Sequence, residues 1–556
     1  MREVIEYAAR RGALLHPDVL RWLQAEARPL DALRRALPDG QLPMVLTLAM
    51  VDGQRGAVAT RLSMAGPLAA TFLAAAPARG GAAAVALLPP RPLAERSAGP
   101  PPVEFPLMAP EPPRAAAPPL ALVLAHGQLG PDPAGALMTQ APAVDVLKDI
   151  TGKSTCTGDL ADFTRYFNDR LRTMRRLLKQ RRELAGVRPI DSVSFSQTGE
   201  VRLIGLVSEV RKTKNGYRIL ELEDETGSVP ILVLKDDHRA VELGDEAERI
   251  LQDECIGVVA RVVAGKDILY LQEFFRPDVE LGRAPHRAAE PALACFISDV
   301  HFGAKTFLGE EWDRFVRFLQ GKEGTPDMRR RAAQVKFLVI AGDMVDGIGV
   351  YPGQEHELAI PDIDDQYAFA ARELGKIPDR VRVVMLPGNH DAVRPAEPQP
   401  AMGDRMKKGF KPNVTFVGNP CQVSLMGVEV LAYHGVSLID YIQSLRGLDV
   451  HRPIQIMQEI LRRRHLAPMY GGTTPVAPES RDYLLIERVP DVFVTGHLHT
   501  CDMGEYRGVT LINAGTWQAQ TSYQKTLGIA PEPARVPTLD LSTGKGAVLR
   551  FDSAAA

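Results

Sequence analysis

The chain has no closely spaced cysteines. Its five, Cys156, Cys255, Cys295, Cys421 and Cys501, lie far apart, odd in number and without a C-x-x-C pair, which argues against a disulfide framework and a zinc ribbon and suits a reducing compartment. It also lacks an unbroken apolar segment. The apolar run from Leu62 to Leu88 is interrupted by Pro67, Pro77, Arg79 and Gly80-Gly81, so no membrane span is expected. The opening Met1-Arg-Glu-Val-Ile-Glu-Tyr places acidic residues among the first apolar ones and has no secretory h-region. Charge of either sign is not in excess: the formal net charge is -2 and the pI near 6.7, so any basic surface must be local.

A length of 556 residues allows two to four domains. Residues 1–52 carry helical spacing (Val4, Ile5, Ala8, Ala9; Val19, Leu20, Leu23; Leu30, Leu33, Leu37) and read as a small helical module. Residues 53–141 turn to Ala and Pro and lack a periodic apolar face, the composition of a disordered linker. Residues 142–198 form a basic helical segment leading into a β-barrel. The spacing predicts a helix over Asp162–Glu183, with Phe163, Tyr166, Phe167, Leu171, Met174, Leu177 and Leu178 buried and Arg165, Arg170, Arg172, Arg175, Arg176, Lys179, Arg181 and Arg182 on a solvated face, contact with nucleic acid or an acidic partner being the alternative. In 199–284 the period changes to two. Strands at Val201–Val210, Tyr217–Leu222, Val229–Leu234, Cys255–Val263 and Ile268–Phe274, with a helix near Ala240–Leu251, come in the order of an oligonucleotide-binding (OB-fold) β-barrel. Strand binding and structural packing are equally open roles for it.

From residue 291 to 556 the pattern is apolar strand, polar loop, helix. Five strands end in polar clusters: Leu293–Ile297 in Ser298-Asp299-Val300-His301, Phe337–Ile340 in Ala341-Gly342-Asp343-Met344-Val345-Asp346, Val381–Leu386 in Pro387-Gly388-Asn389-His390-Asp391, Val428–Tyr433 in His434-Gly435, and Val492–Thr495 in Gly496-His497-Leu498-His499. Ligands gather beyond the carboxyl ends of strands in open α/β sheets, so these loops are expected to converge. Imidazole, carboxylate and amide donors without thiolate suit manganese, iron or zinc rather than a structural zinc. In an Asp-x-His or His-x-His pair on an extended strand end, period two would turn both side chains to one face.

These clusters resemble the signature of the calcineurin-like metallophosphoesterases. The resemblance implies two divalent ions, one held by Asp299, His301, Asp343 and His499, the other by Asp343, Asn389, His434 and His497, with Asp343 as bridge. It places His390 at the scissile phosphate, with Asp391 orienting its ring. Longer strings, among them Gly342-Asp-Met-Val-Asp-Gly-Ile-Gly349, Tyr351-Pro-Gly-Gln-Glu355 and Ala396-Glu-Pro-Gln-Pro400, are similar to the small subunits of archaeal D-family DNA polymerases. That resemblance runs from Asp149 to the C-terminus. It implies a multidomain α+β protein: small helical N-terminal module, OB-fold barrel, and calcineurin-like α/β phosphoesterase sandwich. It further implies a 3′→5′ proofreading exonuclease using manganese (iron, zinc or magnesium as alternatives). DNA and a large polymerising subunit are the implied partners, a sliding clamp a further one, and the nucleoid in the cytoplasm the setting.

Three rival readings stand beside this one. Against a non-catalytic scaffold subunit, every ligand position is filled. Against a protein phosphatase, Gly347 and Asp391 stand where those enzymes typically carry Arg and Glu. A stand-alone repair nuclease of the same superfamily would carry its phosphoesterase at the N-terminus rather than behind a barrel. Glu355, Glu357 and Ala396–Pro400 lie in loops after ligand strands and either shape the substrate cleft or form a subunit interface, the family resemblance favouring the interface. Trp312, Phe315, Val316 and Leu319 are read as core packing.

Overall fold

The computed structural model describes residues 142–234, 238–351, 353–526 and 528–552, with two short pieces, Leu14–Leu15 (β1) and Val45–Leu46 (β2), paired in parallel. The helices expected within 1–52 and the linker at 53–141 lie outside the described residues. Strand β3 (Val144–Lys148) and helix α1 (Leu160–Leu178) come next. The helix ends before the expected Glu183.

Strands β4 (Gly199–Lys212), β5 (Arg218–Asp224) and β6 (Gly227–Val233), helix α2 (His238–Ala247), and strands β7 (Cys255–Val262) and β8 (Leu269–Phe275) then build a closed barrel in the order β4-β5-β6-β8-β7. Alternate residues fill it: Leu220 and Leu222; Val229, Ile231 and Val233; Ile256, Val258, Ala260 and Val262. This period-two filling is what the sequence pattern required.

The remaining chain runs β9 (Leu293–Ile297), α3 (Gly309–Leu319), α4 (Pro326–Gln334), β10 (Val335–Ala341), α5 (Ile363–Gly375), β11 (Arg382–Leu386), β12 (Val414–Phe416), β13 (Cys421–Leu425), β14 (Val428–Ala432), α6 (Leu438–Ser444), α7 (Pro453–Arg463), β15 (Val492–Thr495), β16 (Cys501–Tyr506), β17 (Val509–Ala514), α8 (Ser522–Thr526), β18 (Arg535–Asp540) and β19 (Gly546–Arg550). Two six-stranded sheets result, β12-β11-β10-β9-β18-β19 and β16-β17-β15-β14-β13-β3. Their inner faces share one core, containing Phe296, Val339, Val384, Val430, Val494 and Ile512. The outer face of the first sheet packs Ile297, Leu338 and Ile340 against Trp312, Phe315, Val316 and Leu319 of α3 and against α5. The outer face of the second packs Leu431, Phe493 and Leu511 against α6 and α7. Both faces of the central strands are therefore buried, and this is why they read as continuous apolar runs.

Two expectations for residues 142–198 need correction. Strand β3 does not lead into the barrel; it pairs antiparallel with β13 at the edge of the second sheet, so the chain crosses this body before it builds the barrel. Arg170 is not on a solvated face. It is buried, its Nε donates to Asp482 Oδ2 at 2.8 Å and its Nη1 to the carbonyl oxygens of Pro468 (2.6 Å) and Asp253 (3.2 Å). Together with Arg276 and Arg463, whose Nε atoms lie 2.5 and 3.1 Å from the two oxygens of buried Glu254, it ties barrel and sandwich together.

Candidate metal centre

The five polar clusters meet at the carboxyl ends of β9, β10, β11, β14 and β15. Asp299, His301, Asp343, His497 and His499 all adopt left-handed backbone conformations, with φ of 51°, 53°, 50°, 68° and 58°. The pairs therefore reach a common site through kinks, not through the extended strand end that period two assumed. Such positions cost of order 1–3 kcal/mol each and persist where surrounding structure enforces them. The motif glycines are explained by close approach: a Cβ on Gly388 would overlap Asp343 Oδ1, and one on Gly496 would overlap Ser298 Oγ.

Asp299, His301 and His499 present ligand atoms within 4.8 Å of one another, as do Asp343, His434 and His497, and as do His301, Asp343 and His390. Asn389 Oδ1 lies 3.0 Å from His434 Nε2. Asp343 stands between the groups. Its Oδ1 accepts the His390 backbone N–H at 2.8 Å, while its Oδ2 faces His434 Nε2 (3.3 Å), His390 Nε2 (3.9 Å) and His301 Nε2 (4.0 Å). Asp299 is divided in the same way: Oδ2 accepts the His497 N–H at 2.8 Å, and Oδ1 lies 3.3 Å from His499 Nε2 with no hydrogen-bond partner among the described residues. A buried carboxylate oxygen without a donor is costly unless a cation completes it.

The imidazoles are held ready for that role. Nδ1 of His301 donates to Asp346 Oδ1 (3.1 Å) and Nδ1 of His434 to the Ala341 carbonyl (2.9 Å), so that each turns its Nε2 toward the other site residues, His499 and Asp343 respectively. Burial lowers the His301 pKa and takes that of His497 to about 3, so both are neutral. Burial opposes the charge on Asp299, yet the His499 imidazole brings its pKa to about 2. His434 is also buried, but the adjoining Asp343 carboxylate lifts it to about 10, and Asp343 is held well below the usual carboxylate range. That ion pair is the one a cation would have to open, displacing a proton. The donor set and the orphaned Oδ1 fit a pair of divalent ions.

Asp391 does not orient His390. Its Oδ2 accepts from the N–H groups of Gly388 (2.9 Å) and Met344 (3.2 Å), its Oδ1 from the Tyr367 hydroxyl (3.0 Å), and burial raises its pKa to about 6. It stitches the ligand loops together. The ring of His390 is held by the backbone carbonyl of Asp346, 2.7 Å from Nδ1. Asp346, given no role from sequence, thus holds two imidazoles, and Gln354 donates to both its carbonyl (2.7 Å) and its Oδ2 (3.0 Å). Its spacing within Gly342-Asp-x-x-Asp346 was the available signal. Gln518, 3.3 Å from Asp346 Oδ1, and Gln524, 2.7 Å from His499 Nδ1, carry no such mark in the sequence.

Residues 294–502 match the family of B subunits of DNA polymerases alpha and epsilon. The DNA polymerase II small subunit of Archaeoglobus fulgidus is 44% identical over 398 residues, 71% of this chain and 78% of that protein. That of Methanothermobacter thermautotrophicus is 44% identical over 398 residues, 71% of this chain and 81% of its own length. In Methanocaldococcus jannaschii the identity is 40% over 407 residues, 73% and 68% of the two chains. With identity of this extent over more than two thirds of each relative's length, the chain belongs to the DNA polymerase II small-subunit family.

Proposed function

We propose that the chain is a 3′→5′ exonuclease that removes 3′-terminal nucleotides from DNA in complex with a large polymerising subunit. The observation that carries this reading is the shared carboxylate: Asp343 Oδ2 faces His434, His301 and His390 at 3.3–4.0 Å. Asp299, His301, Asp343 and His499 would hold one divalent ion and Asp343, Asn389, His434 and His497 the other, manganese first among the choices. Bound there, two such ions supply Lewis-acid activation of water and offset charge on a phosphodiester. The chain's own contribution is positional and protonic. Nδ1 of His390 donates to the Asp346 carbonyl, so Nε2 is the atom that faces substrate and can pass a proton to the departing 3′ oxygen. Asp299 and Asp343 are already ionised and His301 and His497 already neutral, the states in which they would ligate, and His434 is the ligand that would have a proton to lose.

A primer with a mismatched 3′ end, labelled at its 5′ end, tests the reading with manganese and the full chain. Stepwise shortening, abolished in Asp343→Ala and His390→Ala, is expected. No cleavage, even with the large subunit added, would make the chain a scaffold.

A further inference from the structure

Between Asp343 and α5 the chain makes a loop, Gly347-Ile-Gly-Val-Tyr351, that lies against His390. A Cβ on Gly347 would overlap the His390 carbonyl oxygen. Left-handed Gly347 (φ 75°) and Gly349 (φ 72°) flank Ile348, which is 50% exposed, a large aliphatic left in solvent beside the metal centre. Tyr351 is half-buried, its ring centroid 6.4 Å from that of His390, and its hydroxyl donates to Glu357 Oε2 at 2.9 Å.

The loop is anchored from below. Gln366 bonds both backbone groups of Gly347 (2.9 and 3.0 Å), and Gln354 Oε1 accepts from the Val350 N–H (2.9 Å) while its Nε2 donates to the Asp346 carbonyl. Gln354, which bonds the Asp346 that holds His301 and His390, therefore also fixes the loop that carries Ile348. A surface held rigid in this way loses little entropy on binding. Base faces are flat, apolar and common to all nucleotides, and they stack on aromatic rings such as that of Tyr351 without reading sequence, an aliphatic side chain such as Ile348 adding apolar contact.

We infer that Ile348 and Tyr351 form the platform on which the 3′-terminal base rests, so that the centre selects a strand ending in a nucleoside over one ending in a bare sugar. This rests on the reading of the centre as a DNA phosphodiesterase. Glu357, for which the family resemblance favoured a subunit interface, would instead brace the platform through Tyr351.

The test compares two 5′-labelled single strands with a phosphorothioate last linkage, one ending in a normal nucleotide and one in an abasic residue, binding to the full chain in manganese. Wild type is expected to hold the normal end on the order of 10-fold more tightly. Ile348→Ala and Tyr351→Ala should each bring that ratio toward one with the abasic affinity unchanged, and Tyr351→Phe, which keeps the ring and loses the bond to Glu357, should keep most of it. A wild-type ratio of one overturns the inference. So does a ratio untouched by both alanine variants, which would give the surface to a protein partner. Discrimination between ends by a chain that cleaves no phosphodiester counterpart would sink the exonuclease reading and leave the platform standing.

Discussion

Two buried charge clusters in this molecule are built from similar residues and left in opposite states. At the junction of barrel and sandwich, Arg170, Asp482 and His465 satisfy one another, with His465 Nε2 2.8 Å from Asp482 Oδ2, and Glu254 takes an arginine on each oxygen. At the strand ends, two carboxylates and several imidazoles are turned toward each other, five of these residues on left-handed backbone, and one carboxylate oxygen has no donor among the described residues. The first cluster is internally closed and serves the fold. The second, on the reading proposed above, is completed by cations, and the strain it holds is what a binding site leaves for its ligand to offset.

The contrast fails outright if Asp343→Ala leaves the centre working: this variant should lose metal and nuclease activity together while the chain stays folded in the presence of a chelator. Plasma emission analysis of dialysed protein, beside a denaturation curve, would check both halves. His390→Ala should retain the metal content yet lose about 10²–10⁴-fold in cleavage rate, read by single-turnover kinetics; cleavage at the wild-type rate would remove His390 from the chemistry.

Arg170→Met inverts the pattern. Leaving Asp482 without its arginine should cost about 3–5 kcal/mol in urea unfolding with metal affinity preserved. A loss of metal binding at unchanged stability would contradict the division of roles.

Glu397 gives a pH test just behind the metal centre, where Asn419 bonds both its carboxyl and the His434 N–H. Burial raises its pKa from 4.5 to about 7, although the Tyr433 hydroxyl and the Asn419 amide bond to it. Below about pH 4.5 both folded and unfolded chains hold that proton, and between there and pH 7 only the folded one does. Its contribution to stability therefore declines as pH rises through this window, by roughly 3 kcal/mol at most. Glu397→Gln should flatten the slope relative to wild type, measured as urea midpoints with chelator present. Smallest of all, Arg172→Ala on the exposed side of α1 should shift stability by less than about 0.5 kcal/mol, the contrast with Arg170 showing that burial and not charge decides the effect.

The strands were legible because burial on both faces leaves continuous apolar runs: Leu293–Ile297 and Val492–Thr495 match β9 and β15 end to end. Strand β3 was not, since a short, largely exposed edge strand paired to a distant partner has neither a long apolar run nor a local turn to announce it. Arg170 was hidden because its partner Asp482 lies 312 positions away and periodicity cannot see it. At the centre, residue types and order were readable from the motifs, and the structure brings all of Asp299, His301, Asp343, Asn389, His390, His434, His497 and His499 together. The hydrogen bonds behind them were not readable, because Asp346 acts on His390 through a backbone carbonyl that any residue would supply, and Asp391 spends its carboxylate on backbone N–H groups and a tyrosine.

Whether the unclosed cluster is a two-cation site can be counted. Equilibrium dialysis of the full chain against manganese, with bound metal determined per chain, should give two ions for wild type and for His390→Ala and a loss of bound metal in Asp343→Ala; a wild-type chain that binds none would contradict the two-cation reading.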